Sequence, residues 1–263
     1  DTVLVNKQLT ILGANEGGSD TDAGNIFGPF CDSGNLVARY KFDETSGNES
    51  SDETWCNDLE GVVEGASWET GVWKNGLDFN GSSDYVRVDH DSALNSTTTS
   101  ITISAWINLD DNETLQTIVS NYNEISDSSR HGYRFSVNTA GKVEFSFGFG
   151  TSSGSCDSNT ILSENKWYHV IVTYGESSSS PITFYINGVK DSQTCGYGHE
   201  ISTSSADLII GANDGNDDAS YGTYFYGTID DVAIWNTVLS ASTIKAFYWS
   251  GDGSYYPVVN ASY

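Results

Sequence analysis

The chain has 263 residues, of which 37% are hydrophobic and 13% aromatic, enough apolar material for one large all-β domain or two small ones. Its 36 acidic residues against 11 basic ones give a formal charge of −25, a field that repels phosphate, argues against nucleic acid and anionic membrane as partners, and favours cations. No apolar run approaches the length of a membrane span, and no charged-then-apolar leader opens the chain.

Residues 1–34 read as a separate piece, an N-terminal strand and flexible linker. Val3, Val5, Leu9 and Ile11 alternate on one face of Thr2–Leu12, and Leu4, Thr10 and Leu12 lie on the other, so this strand is apolar on both sides. It ends at Gly13. Ala14 to Gly28, rich in Gly, Asp, Asn and Ser, reads as linker or exposed loop, closed by Pro29. No hairpin mate adjoins the strand, so it is expected to add to a sheet of its own domain or of another chain. Its wording also resembles the last coil of an upstream β-helix domain. A start at Asp1 and the absence of methionine point to a processed or excised segment.

Residues 35–250 carry an all-β pattern. Leu36 to Phe42 alternates, and Ser67 to Trp73 gives a short strand. In Gly76–Asp89, Leu77 and Phe79 alternate with Asp78 and Asn80, Asn80-Gly81 supplies a tight-turn pair, and Tyr85, Val86 and Val88 form a return strand, which predicts a β-hairpin. Further strands are predicted at Ser100–Ile107, Thr117–Tyr122, Gly132–Val137 and Lys142–Phe149, the last two joined around Ala140-Gly141. Lys166–Tyr174 follows, then Ile182–Ile186 turning at Asn187-Gly188 into Val189–Ser192, then Ala206–Ala212 and Gly227–Trp235. About a dozen short strands with turn signals between them are the signature of a two-sheet antiparallel jelly-roll sandwich, here with an extra N-terminal β-strand. Only Ser240 to Tyr248 reads as helix, with Ser240 as N-cap. Residues 251–263 form a C-terminal tail, either a last docked strand or a frayed end.

Cys31, Cys56, Cys156 and Cys195 are an even number with no CxxC spacing, which favours two disulfides in an oxidising compartment over thiolate metal binding. Of the three connectivities, sequential pairing, Cys31–Cys56 and Cys156–Cys195, is preferred. N-x-[ST] sequons at Asn48, Asn80, Asn95, Asn112 and Asn260 point the same way, to a secreted or cell-surface glycoprotein.

Leu36-Val-Ala-Arg-Tyr-Lys-Phe-Asp43, Gly76-Leu-Asp-Phe-Asn-Gly-Ser-Ser-Asp-Tyr-Val86, Ile101-Thr-Ile-Ser-Ala-Trp-Ile107, Trp167-Tyr-His-Val170, Phe184-Tyr-Ile-Asn-Gly188 and Gly227-Thr-Ile-Asp-Asp-Val232 stand in an order that resembles laminin-G-like domains of the concanavalin A-like lectin/glucanase superfamily. The likeness runs from about Leu36 to Trp249. It implies a jelly roll of two antiparallel sheets, one concave, often with a structural calcium ion and often serving adhesion or glycan binding.

Calcium is the expected ligand. If Val232 and Ile234 face the core, alternation points Asp230 inward at the sandwich edge, where a cation would satisfy it. Asp43 ends the first core strand and Gly81–Asp84 is the turn of the predicted hairpin. In similar domains these segments meet the last strand at one edge, so the expected site draws on Asp43, Gly81, Asp84, Asp230 and Asp231. A second acidic loop, Asp214-Gly-Asn-Asp-Asp218, begins like a calcium loop but has Ala219 where glycine belongs and Phe225 at the distal glutamate. The paired carboxylates on one strand that the glucanases of the superfamily use are absent as a motif, and His90, His131, His169 and His199 are scattered, so no catalysis is expected.

Glycan binding calls for exposed rings with polar groups beside them, and Tyr122, Arg130, Tyr133, Tyr197, His199, Tyr221 and Tyr224 lie in or beside loops. Two functions follow as expectations. One is a non-catalytic extracellular recognition or adhesion module binding glycan or extracellular protein, with structural calcium. The other is a structural subunit of an extracellular filament or surface lattice, polymerising with copies of itself by donating Thr2–Leu12 to a neighbouring subunit.

Overall fold

The computed structural model of the protein describes residues 35–54, 59–126, 129–177, 181–214 and 221–250. The expected strand Thr2–Leu12 and its linker, the Cys31–Cys56 pair, most of the Asp214–Asp218 loop, and the tail with Asn260 lie outside the described residues.

Among the described residues the strands are, in chain order, β1 (Leu36–Tyr40), β2 (Glu49–Ser50), β3 (Gly61–Glu64), β4 (Ser67–Thr70), β5 (Asn75–Asn80), β6 (Tyr85–Val88), β7 (Ser100–Leu109), β8 (Gln116–Ser120), β9 (Asn123–Ser126) and β10 (Ser129–His131). Then come β11 (Tyr133–Val137), β12 (Lys142–Gly148), β13 (Ser153–Ile161), β14 (Trp167–Gly175), β15 (Ile182–Ile186), β16 (Val189–Cys195), β17 (Leu208–Ile210), β18 (Asn213–Asp214), β19 (Tyr221–Gly222) and β20 (Tyr226–Trp235). One helix follows, α1 (Ala241–Ser250).

Two antiparallel sheets form the expected sandwich. The first runs β16-β15-β14-β7-β20-β5-β4, with β1 also paired to β20, and the second runs β13-β12-β11-β8-β17-β6-β3-β2. Strand alternation decides the core: Ile101, Ile103, Ala105, Ile107 and Leu109 of β7 face Val119, Phe135, Phe145 and Phe147 of the second sheet, all buried in one cluster. Each fully buried Phe or Leu side chain contributes ~1.5–3 kcal/mol of transfer free energy, so the inner faces dominate stability. The other face of the first sheet is covered by α1, where Leu239, Ile244 and Phe247 pack on Ile171, Tyr185, Ala233 and Trp235. Ser240 caps that helix, its Oγ accepting from the Thr243 amide at 3.1 Å.

Along one side the sheets are clamped together. Cys156 of β13 is bonded to Cys195 of β16, with Cα atoms 6.0 Å apart. Beside the bond, the Asp191 carboxylate accepts from the amides of Asn159, Thr160 and Gln193 and from the Thr160 hydroxyl. Those four hydrogen bonds outweigh burial and hold the Asp191 pKa below the usual carboxylate range.

Two local readings of the sequence are corrected. The segment Gly76–Asp89 is not a hairpin: β5 pairs with β4 and β20 in the first sheet, whereas β6 pairs with β3 and β17 in the second. Leu77 and Phe79 enter the core from one sheet and Val86 and Val88 from the other, so the strands face each other instead of lying side by side. Gly81 is needed at the crossing, with φ +73° and a position where a Cβ would lie 2.8 Å from Tyr226 Cβ.

The second correction concerns Asp230. The ladder between β20 and β7 shifts register between Asp230 and Ala233, and Asp231 adopts φ +46°. At this bulge β20 passes from pairing with β5 to pairing with β1. Simple alternation from Val232 therefore gives the wrong face. Asp230 lies opposite Trp106 on the outer side, and Trp106 stacks on His169 with ring centroids 4.9 Å apart.

Candidate functional site

The carboxylates expected to share a calcium ion are each engaged by the protein. Asp43 Oδ2 is 2.7 Å from Lys74 Nζ, and Asp231 Oδ1 lies 3.1 Å from Arg39 Nε and 3.0 Å from Arg39 Nη2 in a nearly buried pair. Asp230 Oδ2 accepts from the Val72 and Trp73 amides at 2.8 and 3.2 Å, which organises the turn between β4 and β5. Its Oδ1 has no hydrogen-bond partner. Burial pushes the Asp230 pKa up to about 7, the Trp73 amide pulls it down, and Asp231 and Asp43 push it further up. Asp84 stands at the crossing between the sheets, where Oδ2 accepts from the Asn80 amide at 3.0 Å and Oδ1 from Asn80 Nδ2 at 2.8 Å. The Gly81 amide donates to Phe225 O at 2.9 Å. Among the described residues no group of three or more His, Cys, Asp or Glu side chains could hold a metal ion. Asp43, Asp84 and Asp231 thus each face a protein donor, while Asp230 keeps one carboxylate oxygen without a hydrogen-bond partner.

The seven expected glycan contacts also separate. Tyr133 is 1% exposed, a core residue stacked near Phe145, and offers no ring to a ligand. Tyr197 packs edge-on against Phe147, and His199 stacks on Phe149 at 4.3 Å, both in the segment after β16 whose carbonyls accept from the Tyr174 hydroxyl. Next to them is a shallow pocket of about 320 Å³ lined by His131, Glu200, Ile201, Ser202 and Thr203. The His131 ring is already held there by Ser129 Oγ and Thr203 O. Tyr224 is partly buried near Tyr85, and burial raises its pKa. Tyr122 and Arg130 flank a different surface, the outer face of the second sheet, and the backbone of Tyr221 borders it through β19.

That outer face is polar in two rows. Cross-strand partners share a face, so the ladders place Thr117, Ser136, Glu144 and Asp157 in one row and Ser120, Arg134, Ser146 and Ser155 in the next. Their sequence neighbours Val119, Phe135, Phe145 and Cys156 point into the core. Glu144 Oε1 accepts from Ser146 Oγ at 2.9 Å and lies 3.6 Å from Arg134 Nη2, and Asp157 Oδ2 is 3.5 Å from Lys142 Nζ. Two groups are left over. Ser136 Oγ, on a fully buried residue, and the buried Arg134 Nε have no hydrogen-bond partner.

Two ribbons wall this floor. Ser120 Oγ donates to Asn213 Oδ1 at 2.7 Å and Thr117 Oγ1 lies 2.7 Å from Thr223 Oγ1, which ties the β18–β19 ribbon along one side. The β9–β10 ribbon crosses the end of β12, where Gly148 passes under it: a Cβ on Gly148 would fall on the Arg130 carbonyl carbon and the His131 amide nitrogen. Arg134, Ser136, Glu144 and Ser146 were not singled out from the sequence, since an outward polar residue on a strand reads as solvated surface. The signal was present in the Ala140-Gly141 turn, whose register sets Arg134 opposite Ser146 and Ser136 opposite Glu144.

A family model described as the concanavalin A-like lectin/glucanases superfamily matches residues 80–245. No curated protein matches the chain. Among solved structures, domain 4 of an extracellular arabinanase from Geobacillus stearothermophilus, in complex with arabinotriose, aligns with TM-score 0.58 and 17% identity over 82% of this chain and 98% of that one. The binding domain of botulinum neurotoxin DC, in complex with SialylT, aligns with TM-score 0.61 and 17% identity over 84% of this chain and 52% of that one. A mutant Trypanosoma rangeli sialidase displaying trans-sialidase activity aligns at 0.58 and 18% identity over 83% of this chain and 33% of the other. The chain thus spans nearly all of the arabinanase domain, about half of the neurotoxin domain and a third of the sialidase, and each likeness is one of fold.

Proposed function

This chain belongs to the Laminin_G_3 family of the concanavalin A-like lectin/glucanases superfamily, and from that premise we propose that it is a non-catalytic extracellular recognition module that binds glycan on the outer face of its second sheet. The carrying observation is the set of partly exposed polar side chains on the floor between the two ribbons, Arg134, Glu144 and Ser146, which cross-strand pairing places on one face. The solved relatives include domains in complex with arabinotriose and with SialylT, which supports a sugar as the partner. The Cys156–Cys195 bond supports an oxidising compartment, and no helix among the described residues is long and apolar enough to cross a membrane.

This reading draws on none of the carboxylates of the expected calcium set, Asp43, Asp84, Asp230 and Asp231. One observation favours a second reading. Glu144 and Asp157 are direct cross-strand partners on the same face, so the sheet supplies from two strands a carboxylate pair that no single-strand motif announced. Glycoside hydrolysis calls for two carboxyl groups facing one sugar bond, and this pair supplies two carboxylates on one face. The filament reading rests on Thr2–Leu12, outside the described residues, and is separated by light scattering of the chain with and without residues 1–28.

The test is a glycan array on the purified chain, followed by calorimetry with the best ligand on wild type, Arg134→Ala and Ser136→Ala. Binding lost in the Arg134 variant at unchanged melting temperature supports the proposal. An array without hits, or a hit indifferent to both substitutions, removes it. Release of reducing ends from the ligand, abolished in Glu144→Gln, would replace recognition by hydrolysis.

A further inference from the structure

We infer, resting on the glycan reading above, that the ligand is a neutral sugar held edge-on by its hydroxyls, with adjacent hydroxyls gripped by Arg134 and Glu144 and no ring stacked on an aromatic side chain. The dimensions come from the sheet. Neighbouring strands lie about 4.8 Å apart and alternate residues along a strand about 6.8 Å apart, so Arg134, Ser136, Glu144 and Ser146 mark out a patch the size of one pyranose unit. None of the eight residues in the two rows is aromatic, because the aromatic residues of β11 and β12 all point into the core. Stacking is therefore unavailable on the floor, and hydrogen bonds must carry recognition.

The donor and acceptor inventory then selects the ligand class. Arginine only donates and an ionised glutamate only accepts, whereas a sugar hydroxyl does both. Two neighbouring hydroxyls accept from the Arg134 guanidinium and donate to Glu144, and the partly exposed Ser146 hydroxyl takes either role toward a third. A carboxylated or sulfated sugar would also meet Arg134, but it would sit beside Glu144 and Asp157 on a chain with formal charge −25. Like-charge juxtaposition and the overall field both oppose it.

The experiment takes the strongest binder from the array and compares it with its monodeoxy analogues and acid-bearing counterparts at low and high salt. Wild type, Arg134→Ala, Arg134→Lys and Glu144→Gln are used, with melting temperature as the folding control. The inference expects a neutral ligand, affinity nearly independent of salt, and a roughly tenfold to hundredfold loss for two adjacent deoxy positions, in line with hydrogen bonds to charged groups. Lysine at 134 should not rescue, because it lacks the planar fork. Preference for an acidic glycan with salt-weakened binding overturns the inference and leaves the glycan reading standing. So does a ligand indifferent to every deoxy substitution. No glycan bound at all overturns both.

Discussion

Removing the Cys156–Cys195 bond by the double substitution Cys156→Ser, Cys195→Ser tests whether the two sheets are held at that side by covalent constraint. The bond closes a sequence separation of 39 residues. In the chain-entropy account a loop of that length lowers the entropy of the unfolded state by about 13 cal/mol/K, which is about 4 kcal/mol at 25 °C. At roughly 2.1 cal/mol/K of unfolding entropy per residue, a domain of residues 35–250 should then melt about 9 °C lower. Urea unfolding followed by tryptophan fluorescence gives the free energy directly, and the midpoint should fall while the slope rises, because the unfolded chain without the cross-link exposes more surface. The Asp191 cluster beside the bond provides the competing explanation, since three of its hydrogen bonds, from Asn159 and Thr160, join β13 to β16 without any covalent link. A loss below about 1 kcal/mol in the cysteine variant, together with a larger loss in Asp191→Ala, would refute the entropic reasoning and assign the clamp to the carboxylate.

Three further outcomes are expected. The folded pKa of Asp230, about 7, is raised above the unfolded value, so its contribution to stability is fully present below about pH 4 and is lost as pH rises through 7. Asp230→Asn keeps an acceptor for the Val72 and Trp73 amides, and the difference between the two stability–pH curves should grow by on the order of 4 kcal/mol from pH 4 to 8; a flat difference contradicts the burial argument. Gly148→Ala places a methyl group in the Arg130–His131 backbone and should cost about 1–3 kcal/mol and loosen the β9–β10 ribbon, read as lost protection of the Arg130 amide, bonded to Gly150 O at 2.6 Å, in hydrogen exchange. Among the sequons, Asn48 is exposed, whereas the Asn80 amide group bonds Ser83 Oγ and Asp84 Oδ1 and the Asn112 amide group bonds Leu162 O. Folded protein secreted from a glycosylating host should carry glycan at Asn48 and not at Asn80 or Asn112, and glycopeptide mass spectrometry showing an occupied Asn80 would contradict this.

The sandwich was legible because burial on one face writes period two into the chain. Ile101, Ile103, Ala105 and Ile107 announce β7, and Ser240 announces α1 by its capping hydroxyl. What stayed hidden are the places where local pattern has two solutions. The alternation around Asn80-Gly81 is the same whether the return strand pairs beside the first or crosses to face it, and only distant partners, β4 and β20 against β3 and β17, decide. β13 escaped notice because Ser153-Gly-Ser-Cys-Asp-Ser-Asn-Thr-Ile161 is an edge strand with few apolar residues, and Gly154 leaves room for Phe147 and Tyr197. The bulge at Asp230 and Asp231 inverts the facing of one side chain. The calcium expectation took Asp230 to point inward, and a shift of one residue in parity moves that carboxylate to the outer side of the first sheet.

Charge, which the composition made conspicuous, separates the floor of the second sheet from the rest of the surface. In a chain with 11 bases and 36 acids, each cation has acidic neighbours to spare, and the structure spends several of the described ones on fold contacts. Arg39 is locked to Asp231 at the bulge, Lys41 to Glu53, Lys74 to Asp43, Lys142 to Asp157, and Arg87 lies between Asp89 and Asp207. Arg134 is held differently. Its approach to Glu144 is 3.6 Å, beyond hydrogen-bond length, and its Nε is buried without a partner although Glu144 has turned to accept from Ser146. If its role were only to neutralise Glu144, a small rotation would close the contact, as in the 2.7 Å pairs of Lys41 and Lys74; Lys142, at 3.5 Å from Asp157, is held as loosely. A guanidinium kept short of its carboxylate, with both side chains partly exposed, offers a donor and an acceptor side by side to a hydroxyl group, which is donor and acceptor at once.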